Sequence, residues 1–346
     1  MFEAFSITTN LVIFAVLASA IWMSGARLSY LVDAIAEQTK VARAFMGLIF
    51  LATITELPEM VTSITAVSAG NGELAINNMF GGIMMQLAVL AIAEIFIIKG
   101  TLSSAPRNPS VLVSGLLIIP SLALLLLISY TGDMPIAMHI GLGSILIALL
   151  YIFFMYLLWN IQDRNTWSPV DLPNEHIEHG EVRSNDYDNL SLRILILFSV
   201  IAGLVILLCG VFIVNVAETL ADQTGLGSSF IGVSLLALTT SLPELSTAIA
   251  AVRVKAYTMA ISNIFGSNLI MIFLLLPVDA FFLKGPILNH IDLSASVALI
   301  GGIFLTAIYC IGLLIRPKMK FLGMNIDSFL VLFFYMVGLF ILYQVR

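Results

Sequence analysis

The sequence predicts an all-α integral membrane protein with ten transmembrane helices, arranged as two inverted five-helix repeats. Three observations predict this fold class: an apolar composition, ten long apolar stretches and an internal repeat. Of the 346 residues, 60% are hydrophobic and 10% are charged, and the mean hydropathy is +1.06. These values exclude an ordinary soluble domain, and we expect a lipid bilayer, not nucleic acid, to surround the chain.

Each apolar stretch is long enough to cross the roughly 30 Å hydrocarbon core as a helix, whereas β-barrel strands would be shorter and would alternate. No basic residue precedes the first stretch, so we expect no cleavable signal peptide. Cys209 and Cys310 lie inside stretches, which predicts free thiols. The ten stretches, numbered as spans 1 to 10, are 7–29, 43–69, 74–98, 110–130, 135–160, 192–219, 228–252, 257–283, 291–315 and 323–345.

The repeat relates the two halves of the chain at a constant offset of 185 residues. Residues 45–59 and 230–244 agree at 8 of 15 positions, and both segments end in Leu-Pro-Glu. Each half holds five spans, so the second half must enter the membrane inverted relative to the first. We therefore expect a first repeat at 1–161 and a second at 192–346.

Positive charge predicts the orientation. Of the 15 Lys and Arg residues, 13 lie in the connections after spans 1, 3, 5, 7 and 9. The positive-inside rule places these connections in the cytoplasm and both termini outside, in what we expect to be a prokaryotic inner membrane.

The polar stretch 162–191, which joins the halves, is then an acidic cytoplasmic linker. A solvated connector is the favoured role, and a regulatory cation sensor is the alternative. His176 and His179 in this linker are weak zinc candidates because no second ligand pair accompanies them.

The chemistry of the repeat centres on Glu59 after Pro58 and Glu244 after Pro243. Proline lacks an N–H and clashes with the carbonyl one turn back, so it breaks a helix and frees carbonyls. A carboxylate at mid-membrane depth costs several kcal/mol unless a cation or proton compensates it. Two such mirrored acids predict a cation site where the repeats meet.

Oxygen-bearing side chains accompany both acids. Hydroxyl groups lie four residues before and three residues after each glutamate, on the same helix face. Carboxylate, hydroxyl and carbonyl oxygens are hard ligands, which Ca²⁺ takes and Na⁺ also accepts. These hydroxyls belong to Thr55, Thr62, Thr240 and Thr247; the following helices add Asn77, Asn78, Gln86, Ser262, Asn263, Ser267 and Asn268. For Asn78, Asn263 and the nearby glycines, simple helix packing is an equal alternative.

Glu56 breaks the symmetry of the repeat, since its counterpart is Ser241. It lies three residues before Glu59, so the two carboxylates lean to the same side of the helix. Two such acids should not both be ionised unless a cation lies between them, which offers a route to proton coupling. Alternatively, Glu56 faces water or a hydroxyl group and only changes the electrostatic potential at the cation site.

Glu94 and Asp279 also correspond across the repeat, each five residues before a lysine. Their positions near span ends favour a helix-end anchor or an interfacial ion pair over a role in transport.

These motifs resemble the cation/calcium antiporter superfamily, specifically its sodium/calcium exchanger-like prokaryotic branch, whose repeats carry Thr-Ser-x-Pro-Glu and then Gly-Ser-Asn. Residues 240–244 and 266–268 match in full, and 55–59 and 81–83 match in part. The resemblance covers the whole chain. It implies broken helices 2, 3, 7 and 8 around a midplane cation site, with helices 1 and 6 sliding past them.

The resemblance also implies the roles of the ligands. Glu59 and Glu244 would be the shared carboxylates, while threonines and main-chain carbonyls would line flanking sodium positions. The full set of candidate ligands is Ala52, Thr55, Glu56, Glu59, Gln86, Ala237, Thr240, Ser241, Glu244 and Ser267.

Three departures from the family pattern concern the counter-ion. Gly82 replaces a serine, Gln86 and Met271 stand where asparagine and aspartate are usual, and Glu56 replaces a serine. Relative to the family pattern, one carboxylate is lost at position 271 and one is gained at position 56, so their number is unchanged.

The predicted function is therefore secondary active exchange of Ca²⁺ for Na⁺ by alternating access, without a cofactor. The alternative is proton-coupled Ca²⁺ or cation antiport with Glu56 as the coupling group; K⁺ also stays open, as does the oligomeric state. A channel would need no inverted repeat. An intramembrane enzyme would need a Ser–His pair, an Asp pair or a metal motif, none of which the spans contain.

Overall fold

The fold was analysed in a computed structural model, which describes residues 2–96, 101–106, 109–137, 139–161, 187, 190–223, 240–317 and 319–345. The described chain is helical apart from two short hairpins. The helices are α1 (Ile7–Thr39), α2 (Arg43–Thr55), α3 (Leu57–Ser68), α4 (Gly72–Glu94), α5 (Ser110–Thr131), α6 (Leu142–Ile161), α7 (Leu192–Gln223), α8 (Leu242–Arg253), α9 (Tyr257–Phe281), α10 (Leu293–Ile315) and α11 (Ile326–Val345). The hairpins are β1 (Pro135–Ala137) with β2 (Ile140–Gly141), and β3 (Lys320–Phe321) with β4 (Met324–Asn325).

Eight helices of the described chain are long and apolar enough to span a membrane, and the bent pair α2–α3 makes nine. Many of their large apolar side chains face outward, as expected where lipid replaces water. The first half of span 7 lies outside the described residues, as do most of the linker and the two histidines considered there. The chain is an integral membrane protein, and both cysteines are free.

The bounds of the elements repeat at the offset seen in the sequence. Adding 185 to the limits of α3 gives the limits of α8, and the starts of α1 and α4 map onto the starts of α7 and α9 in the same way. The start of β1 also maps onto the start of β3, while β4 begins one residue earlier than the same offset from β2 would give. The repeat is therefore present in the local structure as well as in the residues.

Pro58 breaks span 2 as its chemistry predicts. The helix ends at Thr55 and restarts at Leu57, with a bend of 43°, and Pro58 lies in the first turn of α3, where it needs no N–H partner. Just before the break, Met46–Leu51 is π-helical, a local widening often found at functional sites.

The expectation of breaks in spans 3 and 8 was wrong. Both α4 and α9 run unbroken past their glycines, and α9 also passes through Pro277. Gly266 serves close packing instead of unwinding: a Cβ built there would lie 2.1 Å from the carbonyl oxygen of Leu48. The two helices form the buried centre of the bundle, and α2 crosses α9 almost backbone to backbone.

The long helices α1 and α7 pack against each other and cover the broken segments. Each is close to a proline-bearing helix through a glycine: a Cβ on Gly25 would lie 3.4 Å from the Pro243 carbonyl oxygen, and one on Gly210 would lie 2.8 Å from Pro58. The lack of a side chain at these positions lets the helices approach closely.

Two glutamines tie the ends of this helix pair together. The Gln38 amide of α1 donates to the carbonyl of Leu190, just before α7, at 2.8 Å. The Gln223 amide of α7 donates to the carbonyl of Phe5, just before α1, at 2.9 Å. Gln38 corresponds to Gln223, and Phe5 corresponds to Leu190, at the offset of 185 residues. The same glutamine hydrogen bond, which we call the glutamine clasp, therefore joins α1 and α7 at both ends of the pair.

Candidate cation-binding site

The ends of α2 and the starts of α3 and α8 place the predicted ligands in the buried centre of the bundle. Glu59 lies in the first turn of α3 and Glu244 in the first turn of α8, and both side chains are buried. Nine of the ten candidate ligands are described, and all nine are at most 4% exposed: Ala52, Thr55, Glu56, Glu59, Gln86, Thr240, Ser241, Glu244 and Ser267. Ala237 lies outside the described residues.

The two halves of the site cross over. The Thr55 hydroxyl of the first half lies beside the Glu244 carboxylate of the second half. The Thr240 hydroxyl of the second half lies beside the Glu59 carboxylate of the first. Each threonine thus faces the acid of the opposite repeat, and the two acids are close enough for their charges to act on each other.

Glu56 joins this pair as a third acid, and Gln86 holds it. The Gln86 amide Nε2 donates to Glu56 Oε1 at 2.5 Å. The Ser267 hydroxyl faces the same carboxylate, although it makes no hydrogen bond of normal geometry. The negative charge of Glu56 acts on both Glu59 and Glu244. Glu56 therefore points into the site and not towards lipid.

Several oxygens of this group have no hydrogen-bond donor in the described chain. They are Glu56 Oε2, Glu59 Oε2 and both carboxylate oxygens of Glu244. The charged groups that act on Glu59 there are the other two acids. Buried carboxylates without donors are costly, so the arrangement requires a cation or protons to compensate the charge.

Carboxylates alone do not build the site. Among the described residues, no three Asp, Glu, His or Cys side chains are gathered into a metal-binding cluster. The three acids act on one another through space, and hydroxyl and amide oxygens must supply the remaining ligands. This composition suits a hard cation, and the candidate ligands include no thiolate or imidazole for a softer metal.

Two departures from the family pattern, Gly82 and Met271, pack directly against each other. A Cβ built on Gly82 would lie 3.1 Å from Cε of Met271, so the thioether of α9 fills the space that a serine in α4 would need. Both hydroxyl and acid are therefore absent from this side of the site, while Glu56 and Gln86 add polar groups nearby.

The structure also identifies Ser63, which the sequence reasoning missed. Ser63 is 1% exposed and its hydroxyl has no partner in the described chain. Thr62, which was favoured by spacing, instead donates to the Pro58 carbonyl at 2.9 Å. Ser63 lies four residues after Glu59, so helical periodicity from the acid could have indicated it.

In the second half, two buried asparagines of α9 have unpartnered amide atoms. The Nδ2 of Asn263 donates to the Thr247 hydroxyl at 3.2 Å, and its Oδ1 has no donor. Asn268 is fully buried and neither of its amide atoms has a partner in the described chain. Both amides therefore keep an oxygen without a donor in the described chain.

Asp279 is a helix-end anchor and not half of an ion pair. Its two oxygens accept the N–H groups of Gly141 at 2.8 Å and of Ile287 at 2.7 Å. Lys284 instead donates to the Gly70 carbonyl at 2.9 Å. Glu94 accepts the N–H of Leu102 at 2.9 Å in the corresponding way.

The chain is similar to membrane proteins of archaea and bacteria. It is 26% identical over 262 residues to an uncharacterized membrane protein of Methanocaldococcus jannaschii, covering 74% of this chain and 76% of that protein. It is 24% identical over 251 residues to the inner membrane protein YrbG of Escherichia coli K12, covering 70% of each.

Among solved structures, the fold is similar to that of the sodium-calcium exchanger NCX_Mj. One structure superposes with a TM-score of 0.68 at 19% identity, covering 96% of this chain and 98% of the other. A second gives a TM-score of 0.68 at 20% identity and covers 99% and 100%. At these identities the likeness concerns the fold.

The family model described as sodium/calcium exchanger protein matches residues 9–160 and 194–344. These two matched segments coincide with the two halves of the 185-residue repeat, and together they cover nearly the whole chain. Members of this family are transporters and not enzymes, and the ions they bind are their substrates. The chain belongs to the sodium/calcium exchanger protein family.

Proposed function

We propose that the protein is a secondary active antiporter that exchanges Ca²⁺ for Na⁺ by alternating access. One observation carries this proposal: each threonine of a proline break faces the glutamate of the opposite half, Thr55 with Glu244 and Thr240 with Glu59. A cation at this crossing is held by both halves at once. Relative movement of the halves then changes its access from one side to the other.

The architecture that we propose for this cycle has ten spans in two inverted repeats, 1–161 and 192–346. Residues 162–191 form the cytoplasmic linker, and both termini lie outside the inner membrane of a prokaryote. The matching bounds of α3 and α8 support the repeat, and the distribution of Lys and Arg supports the orientation. The glutamine clasps support movement of α1 and α7 as one body.

The chemistry follows from charge compensation. A divalent ion neutralises two carboxylates, and so do two or more monovalent ions. Leaving the negative charge of the acids uncompensated inside the membrane is costly. The site therefore switches from facing one side of the membrane to facing the other readily only when cations are bound. Ca²⁺ and monovalent ions then use the site in turn, which couples the two fluxes.

The proposed ligands are the ten predicted residues, and we add the buried, unpartnered Ser63 hydroxyl to them. Glu59 and Glu244 bind both kinds of ion, and the threonines complete the flanking positions. Ala52 contributes less than expected, because its carbonyl already accepts the Glu56 N–H at 3.0 Å and the Thr55 hydroxyl at 3.2 Å.

A second candidate function is proton-coupled antiport, and the Glu56–Gln86 pair favours it. The hydrogen bond at 2.5 Å buries a third acid in the site, while Met271 fills the space beside Gly82 with an apolar side chain. One sodium position has thus lost oxygen ligands and one titratable group has been gained. A proton on Glu56 could replace a sodium ion in the cycle.

Uptake of radioactive Ca²⁺ into everted membrane vesicles separates these functions. Gradients of Na⁺, K⁺ and pH are imposed one at a time, with Glu244→Gln vesicles as the matched control. We expect a Na⁺ gradient to drive uptake in the wild type only. Uptake that ignores Na⁺ but follows pH would replace the first function with the second, and steady current without a counter-ion would indicate a channel.

A further inference from the structure

A second group of buried polar side chains lies away from the candidate site, where the end of α4 meets α10 and the start of α11. We call this group the Glu94 cluster. Its members are at most 4% exposed, although two of them are carboxylic acids. The Glu94 cluster consists of Glu94, Ser103, Tyr309, Asn325, Asp327 and Ser328.

Five oxygens of the Glu94 cluster make no hydrogen bond of normal geometry in the described chain. They are Glu94 Oε2, both oxygens of Asp327, the Tyr309 hydroxyl and the Ser328 hydroxyl. The charges of Glu94 and Asp327 act on each other and on Tyr309. The Ser328 hydroxyl faces the Glu94 carboxylate and the Ser103 hydroxyl faces the Asp327 carboxylate. The two acids and these hydroxyls therefore lie close together, with five oxygens on four side chains making no hydrogen bond of normal geometry.

The symmetry-related position in the other half shows what a purely structural anchor needs. Asp279, the counterpart of Glu94, satisfies both of its oxygens with main-chain N–H groups at 2.8 and 2.7 Å. The residues that correspond to Asp327 and Tyr309 are Leu142 and Leu124. Anchoring the loop thus requires one acid whose two oxygens are bound, and the phenol is an addition of the Glu94 cluster.

The other half does contain a second acid, Asp133, with one carboxylate oxygen bound and the other, Oδ2, without a partner in the described chain. One of its carboxylate oxygens accepts the Gly143 N–H at 2.8 Å, and the Asn289 side chain binds its main-chain N–H and carbonyl at 2.6 and 2.9 Å. Burial raises the pKa of the Asp133 carboxyl, which the Gly143 N–H opposes and the negative charge of Asp279 increases. Asp133 is therefore a matched control for Asp327.

We propose that the Glu94 cluster is a second cation site, which binds a hard divalent ion such as Ca²⁺ or Mg²⁺. Two carboxylates neutralise the double charge, and the Tyr309 and Ser328 hydroxyls add oxygen ligands of the type that these ions take. The ion would link α4 to α10 and α11. In the orientation proposed above, the site is on the cytoplasmic side.

The site also has a direct mechanical connection to the transport site. Glu94 ends the same helix that carries Gln86, eight residues or about 12 Å earlier, and Gln86 donates to Glu56. A divalent ion that fixes the end of α4 therefore restrains the helix that positions Glu56. The natural role of such a site is regulation of exchange by the cytoplasmic divalent concentration.

The test measures divalent binding without the transport site. Purified full-length Glu244→Gln protein is stripped with a chelator, and its thermal midpoint is followed as Ca²⁺ or Mg²⁺ is added, since a ligand of the folded state stabilises it. We expect a saturable rise in this background. Adding Asp327→Asn should abolish the rise or weaken the affinity at least about tenfold, while adding Asp133→Asn should leave it.

A variant that preserves packing protects the test against misfolding. Tyr309→Phe removes only the hydroxyl and keeps the ring edge-on to Phe265, at a centroid distance of 5.9 Å. It should weaken divalent binding several-fold. The proposal is overturned by the absence of any rise in the Glu244→Gln background, or by affinities in Asp327→Asn and Tyr309→Phe equal to the background. Either result leaves the flux experiment for Glu59 and Glu244 unaffected.

Discussion

Gly25→Ala tests the close approach of α1 to the site-bearing helix α8. The new Cβ would lie 1.9 Å from the Ser246 hydroxyl oxygen and 3.1 Å from its Cβ. Ordinary contact begins near 3.4 Å, so the hydroxyl must rotate away and lose its 2.9 Å hydrogen bond to the Pro243 carbonyl. A buried hydroxyl without a partner costs about 1–3 kcal/mol.

The assay compares the thermal unfolding of purified variants in detergent. The loss should lower the midpoint by several degrees, since each kcal/mol corresponds to about 2–4 °C in domains of roughly 150–250 residues. Ser246→Ala in the same chain should restore most of the midpoint, because only the contacts at 3.1 and 3.4 Å then remain. Gly81→Ala is the control, since its Cβ would meet nothing within 4 Å.

The same variant tests whether α1 moves against α8 during transport. If it does, the added methyl group costs different amounts in the two end states, and each 1.4 kcal/mol of difference slows exchange about tenfold. A Gly25→Ala protein with wild-type midpoint and rate would refute the packing argument. So would a Ser246→Ala partner substitution that restores neither property.

Three further predictions concern the site and its supports. Thr55→Val and Thr240→Val should each weaken apparent Ca²⁺ affinity by about tenfold or more, because each removes a hydroxyl oxygen that lies beside the carboxylate of the opposite half; an effect confined to one of them would contradict the crossed arrangement. Glu56→Ser should move the pH dependence of Ca²⁺ flux more than it lowers the maximal rate, and an unchanged pH profile would remove Glu56 from coupling. Gln38→Leu and Gln223→Leu should speed amide exchange at the helix end that each clasp holds, at about 0.5–1.5 kcal/mol per lost bond; unchanged protection in both would show that the clasps do not join the helices.

The sequence predicted those features that depend on chain chemistry alone. Pro58 cannot continue a hydrogen-bonded helix, so the break in span 2 could be placed within a residue or two. Glu59 and Glu244 could be selected because duplicated acids in apolar spans are rare. Membership in the exchanger family followed from the same motifs and is confirmed.

Features that depend on helix packing could not be predicted in this way. The glycines of α4 and α9 suggested unwinding, but Gly266 permits the close crossing of α2, and both helices stay continuous. The partnership of Gly82 with Met271 and of Glu56 with Gln86 joins residues from different helices or from distant turns. Only the relative rotation of the helices decides such contacts, and periodicity within one helix does not contain it.

The central claim is that Glu59 and Glu244 share one transported cation. Counter-ion-dependent Ca²⁺ flux in proteoliposomes tests this most directly, with wild type, Glu59→Gln and Glu244→Gln reconstituted at equal, verified amounts. The crossing requires a carboxylate from each half, and Gln86 already holds the third acid, Glu56. We therefore predict that either substitution abolishes the flux while the protein stays folded in the membrane. Substantial Ca²⁺ exchange by either variant would contradict a shared site.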